Sequence, residues 1–166
     1  LEAYYRLSEL DSLPGKLYGL LKCPLCNAYT LGANVENLTY IGTEAFTGIG
    51  NELANVITGG AGDDTYLYDA DSPLGQDQIS ERLTGGNDWL DFSATTDRSI
   101  ALNLSSTAEQ VVNTNLRISL ASVVQFEHVM GGGQNETLIG NSLANILVGL
   151  AGNDSLSGAG GRDLLF

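Results

Sequence analysis

Oxygen-bearing side chains recur at a nine-residue spacing between Gly131 and Phe166. Four units run back to back over this stretch, and their sixth residues are Glu136, Asn145, Asp154 and Asp163. Hard divalent cations bind about six to eight oxygen ligands, which carboxylates, side-chain amides and turn carbonyls supply. The residue types and their spacing therefore predict a row of metal-ligand positions.

The other repeated residues of these units indicate the element that positions the ligands. Each unit opens with Gly, which suits a tight turn, and carries Leu at position eight, where a short strand begins and points inward. These leucines are Leu138, Leu147, Leu156 and Leu165. A fixed nine-residue period is typical of a stacked parallel β-roll, because each unit can bury its apolar residue only against its neighbours.

The units resemble the haemolysin-type (RTX) calcium-binding nonapeptide, GGxGxDxUx, in which U is a large apolar residue. The resemblance implies an all-β fold, a right-handed parallel β-roll (β-solenoid), with Ca²⁺ as the cofactor. It also implies that two units form one coil, so that residues eighteen apart stack. Glu136 would then stack on Asp154, and Asn145 on Asp163, with Glu127 eighteen residues before Asn145 in the same ladder. The predicted ligands are these five residues and the turns of Gly131, Gly149, Gly152 and Gly158.

A complete consensus unit, GGAGDDTYL, also occurs upstream at residues 59–67. Its predicted ligands are Asp64 and the turn residues Gly60 and Gly62. Phe46 and Arg82 lie eighteen residues to either side of Asp64, and neither is a calcium ligand. With strict spacing, Asp64 lacks a stacked carboxylate, which predicts a weak site or none. The acids that could complete a weak site are Asp63, Asp69 and Asp71.

The period and its interruptions predict four segments. Residues 1–27 lack the repeat, and Leu1 to Leu10 fit a short amphipathic helix, so this segment is expected to be foreign to the repeat body. Residues 28–81 are predicted to form the first repeat block, in which 69–81 are an exit loop. Alternating apolar residues predict spacer strands within 82–126. Residues 127–166 form the second array, interpreted as truncated.

The charge composition limits the partners of the chain. It contains 20 acidic and 7 basic residues, for a net charge of −13. Such a chain is a poor ligand for nucleic acid or an anionic membrane, and its carboxylates repel one another unless cations neutralise them. No uninterrupted apolar run is long enough for a membrane span, and no signal-peptide pattern is found. The expected partners are calcium ions and neighbouring repeats or domains of a larger polypeptide.

The sequence offers no pattern of catalytic residues. His128 is the single histidine, and it is expected at the surface of a coil edge; no GxSxG or HExxH motif occurs. Cys23 and Cys26 form a bare CxxC pair without further zinc ligands, which is interpreted as incidental. We therefore expect that the chain is not an enzyme.

The resemblance implies a calcium-binding structural module of a secreted bacterial protein. RTX proteins leave the cell unfolded by type I secretion and fold when they meet extracellular Ca²⁺. The alternative is an accessory or adhesive module attached to a polysaccharide-modifying enzyme, a protease or an adhesin. The few basic residues of the repeat body, Arg82, Arg98, Arg117 and Arg162, disfavour an anionic polysaccharide as the ligand.

Overall fold

The computed structural model of the chain describes residues 18–21, 28–40, 42–82 and 85–166. The helix expected at Leu1 to Leu10 and the pair Cys23 and Cys26 lie outside these residues. Within them, every regular element is a strand, and none of the described residues forms a helix able to cross a membrane. In chain order the strands are β1 (Tyr18–Leu21), β2 (Ala28–Thr30), β3 (Asn37–Tyr40), β4 (Thr47–Ile49), β5 (Val56–Thr58), β6 (Thr65–Leu67), β7 (Gly75–Ser80), β8 (Trp89–Asp91), β9 (Ala101–Asn103), β10 (Gln110–Val111), β11 (Leu116–Leu120), β12 (His128–Met130), β13 (Thr137–Ile139), β14 (Ile146–Val148), β15 (Ser155–Ser157) and β16 (Leu164–Leu165).

Most consecutive strands alternate between two sides of the molecule. One side is a seven-stranded sheet in the order β16-β14-β12-β8-β6-β4-β2. The other side holds a six-stranded sheet, β1-β3-β5-β7-β11-β10, and a three-stranded sheet, β15-β13-β9. The amide of Ala101, which begins β9, donates to the carbonyl of Val112 just beyond β10 at 3.0 Å and joins these two sheets. All pairings are parallel except β10 with β11, and this confirms the predicted all-β parallel β-roll.

The register has the predicted period in the second array. Thr137 pairs with Ser155 and Ile146 with Leu164, in each case eighteen residues along the chain. The period is not kept everywhere, because longer turns can be inserted between strands that still pair. Thr65 of β6 pairs with Trp89 of β8, which is twenty-four residues away.

The core is a column of side chains from the middle residues of the short strands. Ile57, Leu90, Leu138 and Leu147 are completely buried, and Tyr66 is nearly so. Burying one aliphatic side chain of this size contributes about 1.5–3 kcal/mol. One inward residue per strand is therefore the main apolar contribution of each half-coil.

Two of the four predicted inward leucines are not fully buried. Leu156 of β15 is partly buried, and Leu165 of β16 is 45% exposed. β15 and β16 are the edge strands of their sheets, so each has a packed neighbour on one side only. The register is as predicted, and incomplete cover at the edge explains the exposure.

Three local expectations differ from the structure. The predicted exit loop contains β7, which lies between β5 and β11 and buries Asp77 and Ile79. A buried acid made this strand resemble a polar loop. Tyr18–Leu21, assigned to the foreign segment, pairs in parallel with β3, since such pairing requires only backbone groups. His128 is buried rather than exposed, and its ring packs beside Trp89.

Candidate metal centre

The position-six residues of the second array stack as the period predicts. The backbone N–H of Glu136 donates to Asp154 Oδ1 at 2.9 Å, and that of Asn145 donates to Asp163 Oδ1 at 3.0 Å. Both bonds join residues eighteen apart. Each acid is therefore held at the turn by the coil before it.

The glycines of these turns make room for the acids and for neighbouring coils. A Cβ atom on Gly149 would lie 2.1 Å from Asp154 Oδ2, so a side chain at position one would displace the position-six carboxylate. Gly152 has a φ of 125°, and a Cβ there would lie 1.9 Å from the carbonyl oxygen of Gln134 in the preceding coil. Position one is thus restricted by space, and position four by both space and backbone conformation.

Glu136 and Asp154 form the first candidate site. The Glu136 side chain is 1% exposed, and neither carboxylate oxygen has a hydrogen-bond partner. Burial, and then the neighbouring Asp154 carboxylate, raises the pKa of Glu136 to about 7. A buried acid without a partner beside a second acid is an unfavourable arrangement, and a bound cation relieves it.

Asn145 is surrounded by hydrogen-bonding groups of the protein. Its Nδ2 donates to the Glu127 carbonyl at 2.8 Å and to Asn141 Oδ1 at 3.1 Å, while its Oδ1 accepts from the Asn141 N–H at 2.8 Å. Asn55 makes the same set of contacts with Asn51 and the Val35 carbonyl. In both places the side-chain amide thus donates a hydrogen bond to a backbone carbonyl of the neighbouring coil. The assignment of Glu127, Asn145 and Asp163 as metal ligands stays a prediction.

The expectation that Asp64 lacks a stacked carboxylate is wrong. The Asp64 N–H donates to Asp88 Oδ1 at 2.8 Å, across a separation of twenty-four residues. The coil between them is longer than two nonapeptides, while β6 and β8 remain paired. The Asp64 carboxylate itself accepts from the N–H groups of Phe46 at 2.9 Å and Gly60 at 2.6 Å. The carbonyl of Gly62, a predicted ligand, accepts a hydrogen bond from the Gly86 N–H at 3.2 Å.

Asp64 also belongs to a cluster of three buried acids, with Glu81 and Asp88. One carboxylate oxygen from each lies within 4.8 Å of the others. Burial is the largest cause that raises the three pKa values, to about 9 for Glu81 and about 7 for Asp88. Asp88 could have been found from its shortened Gly-Gly-Asn-Asp repeat, whereas no sequence signal identifies Glu81.

The profile of the RTX calcium-binding nonapeptide repeat matches residues 48–72 and 130–166, in four copies. The Metalloprotease AprA of Pseudomonas entomophila is 40% identical over 85 residues, which are 51% of this chain and 17% of that protein. The Serralysin of Photorhabdus luminescens is 40% identical over 85 residues, 48% of this chain and 17% of its own length. The Metallopeptidase AprA of Pseudomonas marginalis is 39% identical over 99 residues, 52% of this chain and 20% of its length.

The chain thus spans about a fifth of the length of these curated relatives. No solved structure matches it. The profile match covers the Asp64 unit and residues 130–166 of the second array, where strands eighteen residues apart pair in parallel. Residues 48–72 and 130–166 are therefore RTX calcium-binding nonapeptide repeats, a type of repeat that binds Ca²⁺.

Proposed function

We propose that this chain is the calcium-binding structural module of a secreted bacterial protein and that it folds when it meets extracellular Ca²⁺. The observation that carries the proposal is the pair Glu136 and Asp154. A fully buried carboxylate with two unpartnered oxygens lies beside the next acid of the ladder. This pair disfavours the folded state without a cation and favours it with one.

The net charge of −13 supports the same conclusion on the scale of the whole chain. Mutual repulsion of the acids favours an expanded chain when free calcium is scarce, and bound cations reduce this repulsion. Ligands that bind only the folded state stabilise it by RT ln(1 + [L]/Kd), about 2.7 kcal/mol at a concentration one hundred times Kd. Calcium concentration would thus control where the module folds.

The module is proposed to be non-catalytic and to adjoin neighbouring domains of a larger extracellular polypeptide. The named relatives favour a protease as the type of neighbour, because two are called AprA metalloprotease or metallopeptidase and the third is a serralysin. Of the accessory roles considered, attachment to a protease is therefore preferred over an adhesive role.

The test is circular dichroism and calcium titration of the full chain. We expect little β structure in chelator, a gain in millimolar Ca²⁺, and a smaller gain at equal Mg²⁺, because Mg²⁺ loses its water reluctantly. Asp154→Ala should weaken calcium binding, since it removes the acid stacked on Glu136. Asp97→Ala, which removes an exposed acid, is the matched control. A spectrum independent of calcium, or equal titrations for Asp154→Ala and the parent, would contradict the proposal.

A further inference from the structure

Three acids from different strand ends converge inside the first half of the roll. Asp64 precedes β6 and Asp88 precedes β8, which are neighbours in one sheet, whereas Glu81 follows β7 of the opposite sheet. The three side chains are 1%, 1% and 6% exposed, respectively. The cluster therefore lies where the turn crosses from one sheet to the other.

The protein positions these acids but leaves oxygens without partners. Asp88 Oδ1 accepts from the Asp64 N–H, and Glu81 Oε1 accepts from the Tyr66 hydroxyl. Asp88 Oδ2 and Glu81 Oε2 are buried and have no hydrogen-bond partner. Among the described residues, no Lys, Arg or His forms an ion pair with the cluster. The acids are thus not neutralised by a basic side chain of these residues, and two of their buried oxygens lack a hydrogen-bond donor.

The separation of the oxygens suits one hard cation. Two oxygens that bind the same Ca²⁺ at about 2.3–2.6 Å can be at most about 5 Å apart. One oxygen from each acid lies within 4.8 Å of the others. Three carboxylates are also a donor set that favours Ca²⁺ over softer metals.

Glu81 is outside the nonapeptide pattern. Glu81 lies opposite Gly59, because the paired strands β5 and β7 end just before these two residues. The Gly59 N–H donates to the backbone carbonyl of Ser80 at this point. A Cβ on Gly59 would lie 2.3 Å from Glu81 Oε1, so the glycine leaves the space that the longer acid fills. Neither Glu81 nor Asp88 lies in the residues that the family profile matches.

A pocket connects the cluster with the surface. It is lined by Glu81 and Asp88 from the cluster and by Arg82, Gly85, Gly86 and Glu127 among others. Glu127 Oε2 accepts from the Asp88 N–H at 3.0 Å. A cation can therefore reach Glu81 and Asp88, two of the three acids, past the partly buried carboxylate of Glu127.

We propose that Asp64, Glu81 and Asp88 form a separate calcium site in which Glu81 is a ligand that the repeat does not provide. The site extends the proposed function, but it does not depend on the ladder of the second array. Tyr66 is a positioning residue, since its hydroxyl holds one oxygen of Glu81 and leaves the other free for the ion.

Terbium luminescence in the full chain distinguishes this site, because Tb³⁺ replaces Ca²⁺ and emits when a nearby Tyr or Trp is excited. Tyr66 contacts Glu81, and Trp89 directly follows Asp88, whereas residues 131–166 contain neither Tyr nor Trp. We expect emission that Ca²⁺ competes away. Glu81→Gln should remove most of this emission and one bound calcium ion in equilibrium dialysis, with affinity at this site reduced at least tenfold. Asp154→Ala and Asp97→Asn should retain the emission.

Tyr66→Phe provides a second readout if Glu81→Gln does not fold. It removes only a hydroxyl, so we expect the parental number of bound ions, a several-fold weaker site and reduced emission. Parental emission and ion number in folded Glu81→Gln, or parental affinity in Tyr66→Phe, would overturn the inference. If Glu81→Gln loses its ion while circular dichroism shows no calcium-induced folding, the proposed function fails and this site stands. If calcium induces folding equally in both proteins and ion number is unchanged, only this site fails.

Discussion

The substitution Asn145→Asp replaces an amide that donates hydrogen bonds to the protein with a carboxylate that a bound cation would stabilise. The substitution keeps the oxygen that accepts the Asn141 N–H but removes both donations from Nδ2, at 2.8 Å and 3.1 Å. It places a carboxylate oxygen against the Glu127 carbonyl and Asn141 Oδ1. Both acceptors keep a second donor, since the N–H of Ile146 donates to the Glu127 carbonyl and the N–H of Leu143 donates to Asn141 Oδ1. The variant therefore loses two hydrogen bonds, each of which contributes about 0.5–1.5 kcal/mol. We expect the unfolding free energy to fall by about 1–3 kcal/mol at the lowest calcium concentration at which the parent is folded.

Calcium should reverse this loss, because the new acid lies beside Asp163 in the ladder. At one hundred times its Kd, an added ion contributes about 2.7 kcal/mol, which is similar in size to the expected loss. The assay is urea unfolding of the full chain followed by circular dichroism, in a calcium series that starts at the lowest concentration at which the parent is folded. The expected result is a variant that is less stable than the parent at that lowest concentration and as stable or more stable at high calcium.

Two further variants separate the hydrogen bonds from the charge. Asn145→Ala loses the same donors without adding an acid, so it should be destabilised at both the low and the high end of the calcium series. Asn153→Asp adds the same charge at an exposed turn position and should change stability by less than about 0.5 kcal/mol. Parental stability of Asn145→Asp at the lowest calcium concentration of the series would refute the role of the amide. Equal calcium recovery in Asn145→Ala and Asn145→Asp would refute the ladder assignment of this position.

Two other predictions concern stability in the remaining parts of the roll. Burial raises the pKa of Asp77 in the folded state to about 7, which is above its value in the unfolded chain. The contribution of Asp77 to the free energy of unfolding is therefore complete below about pH 4 and is lost as the pH rises through about 7. Asp77→Asn should therefore flatten the decline of unfolding free energy between pH 4 and 8 in conditions where the parent is folded, and an unchanged slope would contradict the burial argument. Leu147→Ala should cost about 2–5 kcal/mol in calcium, whereas Leu165→Ala, at a site 45% exposed, should cost less than about 1 kcal/mol; equal losses measured by urea unfolding would refute the difference in packing.

The second array could be predicted in detail because its structure repeats with its sequence. Residues eighteen apart pair in β13 with β15 and in β14 with β16. The stacking of Glu136 on Asp154 follows directly, since strands paired at this spacing place their flanking turns beside one another. A constant period makes each contact local in the pattern although it is distant in the chain.

The first half of the roll could not be read in the same way, because its turns differ in length. Asp64 meets Asp88 only because β6 and β8 pair across an inserted turn, and no rule of fixed spacing identifies that partner. β7 was missed because a polar segment with a buried Asp77 does not show the apolar alternation of a strand.

The sequence by itself therefore determined the parallel β-roll, the inward leucines, the RTX-type repeats and the calcium cofactor, because each depends on residue types repeated at one period. The tertiary structure alone decided which acids meet outside that period and which of them are satisfied by the protein. Glu81 joins Asp64 and Asp88 from the opposite sheet, and the side-chain amide of Asn145 donates a hydrogen bond to the neighbouring coil. Both outcomes depend on strand pairing and burial, which are set by the packing of the whole roll.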